Sequence, residues 1–154
     1  MRFTVGMVLP ITDTQARPPE IDENHRELAI RVVFTTVSGT LAALQRAEQL
    51  ASLLGARIRV LVPEVVPYPL ALDQPRVAPF LRVRPLCSLA AQYTLEVHID
   101  VRLCRDALVC VKDSLPRGRS TIVIGGRTGW FRRETRLARK LRGWGHDVIF
   151  VSQK

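Results

Sequence analysis

From residue 30 onward, short β-branched runs alternate with stretches at helical spacing, and this alternation restricts the fold more than any other feature. Arg31-Val-Val-Phe-Thr-Thr-Val37 is apolar and β-branched, as a strand buried on both faces must be. Ser38 or Thr40 is placed to cap the next helix, where Leu41, Leu44, Ala47, Leu50, Ala51 and Leu54 form one apolar stripe. Gly55 is placed to end that helix. Arg57-Ile-Arg-Val-Leu-Val62 is the second strand, limited by Pro63. Pro67, Pro69, Pro75 and Pro79 exclude a long regular element between Val65 and Pro79. Phe80 to Tyr93 reads as a helix with Pro85 near its start or at a kink. Glu96-Val-His-Ile-Asp-Val-Arg-Leu103 is the third strand. Arg105 to Leu115 is a short helix with Ala107, Leu108, Val111 and Leu115 on one side. Thr121 to Ile124 is the fourth strand, Phe131 to Trp144 the last helix, and Asp147-Val-Ile-Phe-Val151 the fifth strand.

Each connection is long enough for a crossover between parallel strands. The alternation predicts an α/β fold with a doubly wound five-stranded parallel sheet and helices on both faces. In such sheets a ligand sits beyond the carboxyl ends of the strands, where the strand order reverses. The strands flanking that crevice are Val32–Val37 and Thr121–Ile124. Residues 1–29 differ in character and read as an N-terminal arm or linker, with Phe3–Leu9 as a further strand candidate. Residues 30–154 form the domain.

The fourth strand runs into Ile122-Val-Ile-Gly-Gly-Arg-Thr-Gly129. Strand, glycines, then helix is how α/β proteins turn backbone N–H groups and a helix N-terminus toward an anion. The charge points the same way. Between Pro116 and Arg142 lie nine basic residues against Glu134 alone, which is +8 of the chain's net +9. Charge gathered in one segment suits an anionic partner such as phosphate, nucleic acid or lipid headgroups, or else a solvated helix face.

Composition excludes several classes. An apolar fraction of 47% is globular rather than disordered. No apolar run approaches the roughly 20 residues that span a bilayer, and Phe3–Leu9 is too short and poorly flanked for a signal peptide. A soluble, cytoplasmic protein is expected. Cys87, Cys104 and Cys110 match no zinc spacing and read as small buried hydrophobes. His25, His98 and His146 lie far apart. No nucleophile–base pair emerges, although Asp100 and Asp106 sit near the end of the third strand. These residues give no expectation of catalysis.

In order and spacing the chain resembles the universal stress protein family from about Ile30 to Ser152. The likeness rests on Val37-Ser-Gly after the first strand and on Ala43-x3-Ala47-x2-Leu50-Ala51 followed by Gly55-Ala56. It rests also on Val60-Leu-Val-Pro-Glu-Val-Val-Pro-Tyr-Pro69, on Val97–Leu103, on Ile122–Gly129 and on the closing strand. The resemblance implies the sheet order 3-2-1-4-5 and a homodimer, paired through Val148, Ile149, Phe150 and Val151. It implies ATP or another adenine nucleotide, with magnesium accompanying it. The implied contacts are Thr35, Thr36, Val37, Val62, Gly125, Gly126, Arg127, Gly129, Arg132, Arg133 and Thr135. The family's nucleotide signature ends the first strand in Asp and continues Gly-x2-Gly-x9-Gly-Ser/Thr after the fourth. Here Gly126-Arg-Thr-Gly129 fits its first part. Thr35 or Thr36 stands in place of the Asp. Arg139-Lys140, or Glu134-Thr135 if the loop is shortened, stands in place of Gly-Ser/Thr.

Two main expectations follow. One is a stress-response or regulatory domain that binds an adenine nucleotide in the crevice. The other is a degenerate member that only dimerises or docks a partner. A third, nucleic-acid binding through residues 116–142, has only Trp130, Phe131 and Trp144 available for base stacking.

Overall fold

The computed structural model describes residues 5–8, 28–72, 79–90, 97–129 and 132–153. Six strands form a single parallel sheet: β1 (Val5–Val8), β2 (Ala29–Val33), β3 (Arg57–Val65), β4 (Val97–Cys104), β5 (Thr121–Arg127) and β6 (Asp147–Gln153). Their order is β1-β4-β3-β2-β5-β6. Counted from β2, the five strands other than β1 have the expected order 3-2-1-4-5. β1 lies beside β4 with Val5 opposite Ile99, so the N-terminal strand covers the edge remote from β6.

The helices α1 (Val37–Leu54), α2 (Pro79–Ala90), α3 (Ala107–Ser114) and α4 (Arg133–Gly143) divide between the two faces. Ile30, Val32, Ile58, Val60, Val62, Ile99 and Val101 pack under Ala43, Leu44 and Ala47 of α1 and Val83 and Leu86 of α2. Val33, Leu61, Ile122 and Ile124 pack under Val111 of α3 and Ala138 and Leu141 of α4. Strand alternation puts Arg31, Arg59 and His98 on this second face, side by side in register. Burial, and then the neighbouring Arg59, hold the Arg31 pKa below its ordinary value.

Several element ends differ from the sequence expectation, each for a local reason. β2 stops at Val33, because Thr36 accepts the Gly39 N–H at 3.0 Å and opens α1. Neither Ser38 nor Thr40 is the cap. Val37 is therefore the first residue of a helix, not the last of a strand. β3 runs through Pro63 to Val65. The Leu61 carbonyl accepts from Phe34 N–H, so the odd positions of β3 face β2. β2 has ended by that level, and the N–H that Pro63 lacks has no partner to miss. In α2, Pro85 stands inside the helix. Gly55 ends α1 at φ 62°, in the left-handed region that glycine tolerates, with its N–H on the Ala51 carbonyl.

The largest difference concerns the glycines. β5 continues to Arg127, so Gly125 and Gly126 are strand residues opposite Val151 and Ser152 rather than a turn. The space above Gly125 is taken by the start of α1. A Cβ on Gly39 would come within 2.6 Å of the Gly125 carbonyl oxygen, and one on Gly125 would overlap the Gly39 carbonyl. Gly125→Ala is expected to destabilise the fold by about 3 kcal/mol, since backbone and not a side chain blocks the methyl. Gly143→Ala, with open space around it, is expected to be neutral or stabilising by less than about 1 kcal/mol. Urea denaturation of both variants checks the pair. Equal losses would contradict the close approach.

Candidate functional site

A cleft of about 570 Å³ opens at the carboxyl ends of β2 and β3, between α3 and α4. It lies at the carboxyl edge of the sheet beside the expected crevice, but β3 rather than β5 is the second strand at its lining. Val33, Phe34, Pro63, Leu108, Val111 and Leu137 give it an apolar wall. Arg133, Arg136 and Lys140 line the α4 side, together with Glu134, and Asp106 lies at the α3 side. Positions 133, 136, 137 and 140 fall on one helix face, which carries three cations and a leucine into the same space. The volume lies within the usual range of small-molecule sites.

The groups at the cleft differ in what they have left to offer a ligand. Asp106 Oδ1 accepts the N–H groups of Leu108 at 2.8 Å and Val109 at 3.0 Å, which closes the N-terminus of α3. Thr35 Oγ1 donates to the Gly125 carbonyl at 2.6 Å, and the Thr35 N–H donates to Thr40 Oγ1 at 3.2 Å. The N-terminus of α4 is different. Arg132 stands at its cap position without a side-chain cap bond, and Thr135, a predicted contact, is outside the cleft lining with its Oγ1 buried and without a hydrogen-bond partner. Glu134 sits in the first turn of α4, where a carboxylate complements the helix dipole.

Of the residues singled out in the sequence, Thr35, Thr36 and Arg133 line the cleft. Val62 does not. It is buried on the opposite face, in the core under α1 and α2. Val37 is half-buried at the start of α1 and outside the lining. Gly126 is covered: a Cβ there would lie 2.6 Å from Glu134 Cγ and 2.9 Å from Glu134 Cβ. Gly129 is exposed, with its carbonyl accepting the Arg132 N–H at 3.1 Å. Arg127 and Arg132 are exposed and outside the lining. The glycines thus hold close packing and a tight turn and do not bare backbone N–H groups toward the cleft. Sequence reasoning missed Phe34, Pro63, Leu108, Arg136, Leu137 and Lys140. The spacing of Arg133, Arg136, Leu137 and Lys140 on one helix face was the available signal.

Other candidates resolve structurally. Asp100 Oδ2 accepts from Arg102 Nε at 3.1 Å in a half-buried pair on β4, while its Oδ1 is buried without a hydrogen-bond partner. Burial pushes the Cys104 thiol up to about 12, assisted by Cys110, and its Sγ lies 3.6 Å from the Glu64 carbonyl. A thiol so held stays protonated and is a poor nucleophile. Burial and Arg31 lower the His146 pKa. Among the described residues no group of three or more His, Cys, Asp or Glu is placed to hold a metal ion, and no helix is long and apolar enough to cross a membrane. Trp144 packs on the core beneath α4, with Lys112 Nζ 5.8 Å from its ring centre. Trp130, Phe131 and His25 lie outside the described residues.

No protein-family model matches the chain, and no curated protein matches its sequence.

Asp106 serves as a cap, and its charge is separable from that role. Asp106→Ala is expected to cost about 1 kcal/mol of stability. Asp106→Asn, which keeps an acceptor oxygen, should cost less than half of that. Thermal denaturation of the two variants distinguishes them, and equal losses would contradict the capping assignment.

Proposed function

We propose that this chain is a binding domain of the universal stress kind, with a regulatory role, that holds an adenine nucleotide or a closely related phosphorylated ligand in the cleft. One observation carries the reading. An apolar wall and three cations on one face of α4 meet at the carboxyl edge of the sheet, where a doubly wound fold receives ligands. The apolar wall suits a base, and Arg133, Arg136 and Lys140 suit phosphate. The phosphate is held by side chains rather than by a glycine cradle, because Glu134 covers Gly126 and α1 covers Gly125. Magnesium would arrive with the phosphates rather than on a protein cluster. The proposed role is binding, with hydrolysis at most a slow accompaniment.

Calorimetric titration of the purified chain with AMP, ADP and ATP tests this. Binding in the micromolar range is expected for at least one of them. Arg136→Ala combined with Lys140→Ala should weaken it about tenfold or more, as loss of charge-assisted hydrogen bonds does. Absence of heat at millimolar ligand, with the fold intact, would sink the reading.

A second observation favours a homodimer. β6 is the outer strand beside β5, and Val148, Ile149, Phe150 and Val151 are all half-buried. Asp147 N–H points to Ser120, so the N–H groups of Val148, Phe150 and Ser152 point away from the sheet. An edge of this kind is a template for pairing with a second copy. Light scattering is expected to give twice the chain mass. Ser152→Pro removes one outward N–H at an exposed residue and should return the mass to that of one chain with the fold kept. A monomeric wild type would reject the dimer.

A further inference from the structure

The carboxylate of Glu134 stands where the strand–glycine–helix arrangement would otherwise leave room for a phosphate chain. Its Cβ and Cγ rest on the backbone of Gly126, within 2.9 and 2.6 Å of where a methyl would be. Its position in the first turn of α4 places it beside Arg133, and both line the cleft. The described cleft therefore contains three cations, Arg133, Arg136 and Lys140, and two carboxylates, Glu134 and Asp106. Asp106 is committed to the backbone of α3. Glu134 has no such cap to satisfy, and it is one residue from Arg133, the cleft-lining cation nearest the helix start.

We infer that Glu134 is a specificity-determining residue that restricts the cleft to ligands with a short phosphate group, a nucleoside monophosphate rather than a triphosphate. This rests on the reading that the cleft binds a phosphorylated ligand. A monophosphate ester carries about two negative charges at neutral pH, a load that the α4 cations match. Each further phosphate adds a negative charge and extends the chain. Extension toward the start of α4 meets the Glu134 carboxylate. Extension toward Gly126 meets its methylene groups. Both discriminate by repulsion or steric exclusion and not by attraction, the way specificity against a larger competitor is obtained.

The test is a titration of the full chain with AMP and ATP in magnesium-free buffer, for the wild type and for Glu134→Gln. Glutamine keeps the methylenes on Gly126 and removes the charge. The wild type is expected to bind AMP about tenfold more tightly than ATP, the size that two further charges near a carboxylate give in a water-accessible site. Glu134→Gln should tighten ATP more than AMP and bring the two affinities within about threefold. Glu134→Ala, which also uncovers Gly126, should move in the same direction and further. If AMP binding survives and the ratio is the same in all three proteins, the inference is overturned while the cleft reading stands. If neither nucleotide binds any of the three proteins, the cleft reading itself has failed, and the inference falls with it.

Discussion

The contact between the backbones of Gly39 and Gly125 is the constraint on which the rest of this structure depends. It brings the N-terminus of α1 down onto β5, close enough that neither residue can carry a side chain. The Thr35 hydroxyl fastens the joint by donating to the Gly125 carbonyl at 2.6 Å, and Thr40 holds the Thr35 N–H. Small residues continue the close approach along the helix, with Gly39, Thr40, Ala43, Ala47 and Ala51 all buried. Because β2 ends at Val33 and α1 begins at Val37, the short turn between them is fixed at the carboxyl edge of the sheet. That turn forms one side of the cleft through Phe34, Thr35 and Thr36.

The same joint changes what the glycine-rich segment can do. In a strand–glycine–helix site, backbone N–H groups and the helix N-terminus act together on an anion. Here one glycine is used against α1 and the next is covered by Glu134. Positive charge is supplied instead along the side of α4, by Arg133, Arg136 and Lys140, across the cleft from an apolar wall. Side-chain cations are longer, more mobile and more strongly hydrated than a backbone cradle, so such a site selects by net charge as much as by fixed geometry. The strong bias of basic residues toward the segment from Pro116 to Arg142 then has two parts. Arg133, Arg136 and Lys140 face the cleft, while Arg119 pairs with Asp147 at 2.6 Å on the surface.

The architecture was legible in the sequence because hydrophobic periodicity and connection length are properties of the chain alone. The parallel sheet, the helices on both faces and the end of α1 at Gly55 follow from them, whereas the order 3-2-1-4-5 was implied only by the family resemblance. The errors fall where a distant segment decides the outcome. Gly125 and Gly126 look like a turn in isolation, and only the approach of α1 and the pairing with Val151 and Ser152 keep them in a strand. Pro63 looks like a terminator, and only the early end of β2 lets β3 run past it. Val62 ends the expected second strand, but strand alternation sends it to the wrong face for the crevice. The site was half legible for the same reason. Thr35, Thr36 and Arg133 lie at the ends of elements and could be placed by order alone. Phe34, Pro63, Leu108 and Lys140 meet only when α3 and α4 pack over the second face.

The central claim is that the α4 face, and not the glycine segment, receives the phosphate of a bound ligand. Amide chemical shifts of the labelled chain, followed during titration with AMP, test it most directly. The account predicts saturable shifts at Thr35, Thr36, Leu108 and along Arg133 to Lys140, with little change at Leu53 and Tyr68 on the exposed surface. Saturable shifts confined to residues outside the cleft, with Arg136 and Lys140 unmoved, would contradict it.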